Sequence, residues 1–438
     1  RTVVVIMTDD QRADLLPWMP SVQKHLIDEG TLFESAFVVN PACCPSRAAF
    51  LTGTYSHTNG VWANVGLVLW SASRLSEARS HLQRCLALSR EMGDPQLEAA
   101  ALGNLGLVFH SEGRKEEARE CYERQLALSR EIGARRGEVR VTMNLGLLLQ
   151  IEGRLSEARE HHERSLALST EIGDRQGEAR STSSLGTLFQ GEGRLREARE
   201  LYERSLALGR EVGDPRSAAI ALGNLSLVLQ AVGRPREACR DAEDSLALSR
   251  DIGYREGEAN ALYTLGLLSY ERGASAVAEE HLLSSLSISK QSGDPRGTAW
   301  TNFLLGRLHV ESGSTEEARS LLAAARDKAA EFDIPAIQTL ARCELALVPG
   351  GDPRDAIAAF SEYEDRLDAG QSYEAHFLLW KATGRPEHLA AAKRLLDYRV
   401  EHAPEEYRES MLKNVRLNRE IMQAWAEHGG GDGPREMP

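Results

Sequence analysis

Asn104-Leu105-Gly106-Leu107, followed by Gly113-Arg114-Lys115-Glu116-Glu117-Ala118-Arg119-Glu120, returns forty residues later as Asn144-Leu145-Gly146-Leu147 and Gly153-Arg154-Leu155-Ser156-Glu157-Ala158-Arg159-Glu160. Outward from this pair the same period continues in both directions. Leu-Gly or a close relative falls at Leu185-Gly186, Leu225-Ser226, Leu265-Gly266 and Leu305-Gly306, and a later Gly at Gly193, Gly233, Gly273 and Gly313. Ala recurs from Ala78 to Ala318, and Leu-Ala-Leu closes units at Leu86–Leu88, Leu126–Leu128, Leu166–Leu168, Leu206–Leu208 and Leu246–Leu248. Markers that stay in register without an insertion define one unit, repeated.

Each unit reads as two helices. Leu97 to Ser111 carries apolar residues at helical spacing and stops before Gly113, which can take the left-handed conformation beyond a helix end. Lys115 to Ile132 repeats the pattern and stops at Gly133. Asp-Pro at Asp94-Pro95, Asp214-Pro215 and Asp294-Pro295 opens later helices, because Asp can cap free amides and Pro fits the first helical turn. Small residues at the Gly106 and Ala118 positions let the two helices approach closely. One hairpin cannot bury both of its apolar stripes, so neighbours must stack.

This pattern resembles tetratricopeptide repeats in a 40-residue variety, with a partial first unit and six full ones over residues 65–347. The wording is similar to arrays of animal spindle-orientation adaptors and bacterial signalling proteins. The resemblance implies an all-α, right-handed α-solenoid whose first helices line a concave groove.

Composition agrees with a surface-rich helical protein: over 438 residues aromatics make up only 6 %. A formal net charge of -13 argues against nucleic acid as a partner, since phosphate binding needs clustered Lys and Arg. No run of apolar residues is long enough to span a membrane. The chain starts at Arg1 without a signal-peptide pattern, as expected of a mature or excised product. Cys85, Cys121, Cys239 and Cys343 stand singly in the repeats with no metal or disulfide spacing, which fits a cytoplasmic, reducing setting.

Val348-Pro349-Gly350-Gly351-Asp352-Pro353 breaks the array. Four helical stretches follow, around 354–369, 373–383, 387–402 and 405–427, without the repeat markers. Terminal repeats must present a polar outer face, so residues 348–428 read as a helical cap. Residues 429–438 read as a disordered tail.

Residues 1–64 follow another pattern. Val3-Val4-Val5-Ile6-Met7 suggests a buried parallel strand, with Asp9-Asp10 at the end where open α/β sheets place their chemistry. Cys43-Cys44-Pro45-Ser46-Arg47 and Leu51-Thr52-Gly53 follow. The stretch resembles the start of type I sulfatases. The resemblance implies that Cys43 is converted to formylglycine, whose hydrate attacks sulfate, that Arg47 steadies it, and that Asp9 and Asp10 help hold Ca²⁺. The family's later Asp-Asn pair has no counterpart, and two carboxylates alone cannot satisfy six to eight oxygens. The fragment therefore reads as vestigial or joined, with neither cofactor expected unless the sulfatase reading holds. Near Asn64-Val65-Gly66 the two texts meet in repeat register, consistent with a chimera. Natural recombination, assembly and engineering all remain open.

The leading function expected is a non-enzymatic scaffold for a protein or extended peptide, with an acidic peptide favoured. The alternatives are an arylsulfatase-type hydrolase with a repeat extension and the sensor arm of a signalling protein. Asn104, Asn144, Ser184, Asn224 and Thr264 form a polar ladder on the groove-lining helices, with Arg140 and Arg180 one turn earlier. Asn amides can bond a peptide backbone, and Arg forks suit carboxylates.

Overall fold

The computed structural model describes residues 74–428 together with Gly66, Leu67, Leu69 and Trp70. The sulfatase-like stretch, with Asp9, Asp10, Cys43 and Arg47, and the tail 429–438 lie outside the described residues. Among those described there are nineteen α-helices and two short 3-10 helices, and no strand.

Regularity follows from the twenty-residue half-period. The array runs α1 (Leu75–Met92), α2 (Pro95–Ser111), α3 (Lys115–Glu131), α4 (Arg135–Ile151), α5 (Leu155–Glu171), α6 (Arg175–Gly191), α7 (Leu195–Glu211) and α8 (Pro215–Ala231). It continues with α9 (Pro235–Asp251), α10 (Arg255–Glu271), α11 (Ser275–Gln291), α12 (Pro295–Ser312), α13 (Thr315–Glu331) and α14 (Pro335–Leu347). Three-residue turns separate most of them, and the turn glycine sits at positive φ, as at Gly113 (76°) and Gly133 (67°). Asp94 Oδ1 accepts from the Leu97 amide at 3.0 Å, and Asp214 from that of Ser217 at 3.1 Å. Asp294 makes no such cap, whereas Asp174, with no Pro behind it, caps Gly177.

Pairing within a hairpin is a matter of complementary volume. A Cβ on Gly106 would lie 2.3 Å from the Tyr122 ring, so α2 and α3 touch at bare backbone. Gly146 faces His162, Gly186 faces Tyr202, and Gly266 faces Leu282 in the same way. Where the small residue is Ser226, the equivalent large position holds Ala242, so the contact stays filled. Gly66 faces Leu82 by the same rule, which puts the partial first unit in repeat register. Within the same hairpins, Ser165, Ser205, Ser245 and Ser285 donate to the carbonyls of Val139, Ala179, Ala219 and Ala259 at 2.8–3.0 Å. Each bond satisfies a buried hydroxyl and ties the second helix of a unit to the first.

Past the array lie α15 (Pro353–Tyr363), α16 (Ala369–Thr383), α17 (Pro386–Glu401), α18 (Arg408–Asn414) and α19 (Arg416–His428). The first stretch is shorter than its sequence suggests, ending at Tyr363 in a 3-10 turn, and the last is two helices broken at extended Val415. These helices do more than close the last repeat, because they turn back along the array. Tyr373, Phe377, Leu389, Leu396, Met411 and Ile421 share one buried core with Leu195, Tyr202, Val228 and Val232 of α7, α8 and the turn after it.

Candidate functional site

The array coils until its two ends meet. Lys115, at the start of α3, pairs with Asp333, in the turn before α14. Arg366 reaches the same carboxylate with Nη1 and Nη2 at 3.0 and 2.8 Å. Asp333 has φ 50° where the preceding units carry Gly, a conformation Asp tolerates better than most residues. The guanidinium of Arg366, then Lys115, pulls its carboxyl down to about 2.

Within the coil is a cavity of about 770 Å³. One wall comes from early helices: Leu107, His110, Asn144, Leu147 and Ile151. The opposite wall comes from late turns and helix starts: Ile252, Tyr254, Glu256, Asp294 and Arg296, joined by Arg216 and Phe332. The walls feel each other electrostatically. Burial, then the charges of Arg296 and Lys115, push His110 down to about 4. Burial also lowers Arg296, with Asp294 and Asp333 opposing the shift. Arg216 stacks over the Tyr254 ring at 4.3 Å.

The residues expected in the groove are distributed as follows. Arg140 and Arg180 stand on adjacent helices and interact: surrounding protein lowers the Arg140 pKa, and the Arg180 charge adds to this. Arg180 comes within 3.7 Å of Asp214, while Arg140 forms no ion pair among the described residues. Asn144 lines the cavity. Asn104, Asn144 and Thr264 are buried, and Thr264 spends its hydroxyl on the Asn260 carbonyl at 2.9 Å. Ser184 is half-buried, and Asn224 Nδ2 lies 3.4 Å from Ser183 Oγ. The ladder is thus a set of packed polar groups, with Arg140 and Arg180 one turn away. No group of three or more metal-ligating side chains forms among the described residues.

Sequence reasoning missed the seam between array and C-terminal helices. Ser410 Oγ donates to the Val232 carbonyl at 2.6 Å and Asn414 Nδ2 to that of Gly233 at 2.8 Å. Arg307, half-buried on α12, bridges Glu344 and Glu374 at 2.8 and 2.5 Å. A signal existed: Glu112, Glu152 and Glu192 accept from Arg79, Arg119 and Arg159, but the next member of that series is Val232. Arg199 turns instead to Glu203 and Glu406.

The repeat array and the N-terminal stretch each match a known family. Residues 58–131, 138–211 and 217–291, together about half of the chain, match the tetratricopeptide repeat family. Residues 1–87 match the sulfatase family, overlapping the first of these matches. A putative extracellular sulfatase Sulf-1 homolog of Caenorhabditis elegans is 42 % identical over 64 residues, which is 14 % of this chain and 9 % of that protein. N-acetylglucosamine-6-sulfatase of Homo sapiens is 47 % identical over 64 residues, 14 % of this chain and 12 % of the human one. The chain spans only about a tenth of the length of these relatives. Among solved structures, a Rap protein complexed with competence and sporulation factor superposes with a TM-score of 0.57 at 15 % identity, covering 84 % of this chain and 98 % of that one. The Rap conjugation gene regulator of plasmid pLS20, in complex with the Phr* peptide, gives 0.51 at 14 % identity, covering 86 % and 98 %. At such identities the likeness is one of fold. The chain belongs to the tetratricopeptide-repeat family and carries at its N-terminus a stretch similar to the start of a sulfatase.

Proposed function

We propose that this protein is a non-enzymatic scaffold that holds a protein or extended peptide partner, acidic in character, against the concave side of repeats 2 to 4. The observation that carries the reading is the Arg140–Arg180 pair: two like charges held together by the backbone, one of them without a carboxylate among the described residues. A carboxylate from a partner relieves that repulsion, each charge-assisted contact being worth about 1.5–3 kcal/mol. Two chains of this fold were solved with a factor and with a peptide bound, which supports a ligand-holding concavity. The four described cysteines are free, in keeping with a reducing compartment such as the cytoplasm, and no described helix is long and apolar enough to cross a membrane.

The test is capture of a partner on the full chain, then titration of that partner against wild-type and Arg140→Ala/Arg180→Ala proteins. Affinity falls at least about tenfold with the melting temperature nearly unchanged. Equal affinities move the site off these helices. Hydrolysis of an aryl sulfate that disappears in Cys43→Ala would instead establish the sulfatase alternative.

A further inference from the structure

The second helices of the hairpins follow a charge pattern that one of them breaks. Arg114–Glu117, Arg154–Glu157, Arg194–Glu197 and Arg234–Glu237 pair at the starts of α3, α5, α7 and α9. Forty residues on, the same positions hold Ala274 and Val277. Farther along these helices, the exposed Glu123, Glu163, Glu203 and Glu243 are followed in the series by Leu283, and Asp244 by Ser284. Leu283 is 51 % exposed, more than any other large apolar side chain described, and Val277 is 46 % exposed. The next outer helix continues the change: α13 keeps Glu316, Glu317 and Asp327 towards its ends but has Ser320, Ala323 and Ala324 between them.

Helical spacing puts Val277, Glu280, Leu283, Ser284, Ser287 and Lys290 on one outward face of α11. Glu280 and Lys290 are the charges of this face, and neither forms an ion pair among the described residues. Glu279, at its border, lies 3.8 Å from His309. The cavity inside the coil takes its walls from other helices, so this face is separate from the concave side. We propose that the outer face of α11 is where two copies of this chain meet, as a two-fold dimer with the α11 helices antiparallel. The face is complementary to itself in charge. Antiparallel, Glu280 of each copy faces Lys290 of the other, whereas a parallel pair sets Glu280 on Glu280 and Lys290 on Lys290. The register that joins those charges lays Leu283 over Ser287 and Val277 over the Gly293 turn, each a large side chain against a small residue. A Cβ on Gly293 would meet nothing within 4 Å, so the space there is open. The hairpins already use such a pairing of volumes at Gly106 and Tyr122. One helix face from each copy makes a small interface, so the dimer is weak and reversible.

The experiment is analytical ultracentrifugation of the full chain from about 1 to about 100 µM, a range that spans weak self-association. The mean mass rises with concentration towards that of two chains. Val277→Glu/Leu283→Glu gives α11 the residues that its counterparts carry, so helicity and melting temperature hold while the dimer weakens at least about tenfold. Glu280→Lys and Lys290→Glu each weaken it too, by setting like charges opposite one another, and the double exchange Glu280→Lys/Lys290→Glu restores it. A chain that stays monomeric over the whole range would overturn the proposal and give the face to a different protein. A dimer of unchanged strength in Val277→Glu/Leu283→Glu would overturn it as well. So would a double exchange no tighter than either single one, because the antiparallel pairing of Glu280 with Lys290 is what assigns the face to a second copy.

Discussion

The carboxylate of Asp333 meets the ammonium of Lys115, 218 residues earlier in the chain, and so ties the end of the array to its beginning. Asp333 is open to water over 42 % of its side chain, so the pair acts as a latch more than as a large store of stability. Its carboxyl is held at about 2, below the ordinary aspartate value, so its contribution is complete above that ordinary value and lost as pH falls through about 2. Asp333→Asn therefore melts below wild type at pH 7, with a gap that closes towards pH 2. Thermal unfolding at several pH values measures the gap. A gap that is the same at pH 7 and pH 2 would show that charge plays no part.

His162 is buried opposite Gly146, and neither ring nitrogen has a hydrogen-bond partner among the described residues. Burial, with a small push from His161, lowers it to about 4. The unfolded chain takes up this proton first, so stability is full above about 6.5 and falls as pH drops towards 4. The shift corresponds to about 3 kcal/mol at the acid end. His162→Tyr installs the residue that the neighbouring units carry at Tyr122 and Tyr202. Urea midpoints at pH 7 and pH 4.5 then differ less than in wild type. An unchanged acid slope in this variant would exclude His162 as its source.

Val232 is fully buried beneath the C-terminal helices, at a position where earlier units bear Glu. Val232→Glu offers Arg199 the carboxylate that its counterparts already have, but it puts a charge under Met411 and Ile421. An uncompensated buried charge costs about 3–5 kcal/mol, so the C-terminal helices detach while the array keeps its own pairing. Hydrogen exchange accelerates over residues 405–428 and stays slow over most of residues 115–312. Uniform acceleration would mean that array and C-terminal helices unfold as one unit.

Much of this architecture was legible in the linear chain because its causes are local. Turn glycines, Pro at helix starts and the Gly106–Ala118 spacing act over one or two helical turns, so a period read from letters is a period in space. Volume pairing of Gly with Tyr, His or Leu sixteen residues on is equally visible in the letters. Two irregularities, Val232 in a series of Glu and Asp333 in a series of Gly, marked the seams without saying what they join. Only the tertiary structure decided that. Coil closure depends on a small rotation between neighbouring units, summed over the distance from Lys115 to Asp333, and no local pattern encodes that sum. Likewise, the apolar faces of α16 to α19 state that they must be covered, since burial is non-directional, but not by which surface. The fold placed them on α7 and α8.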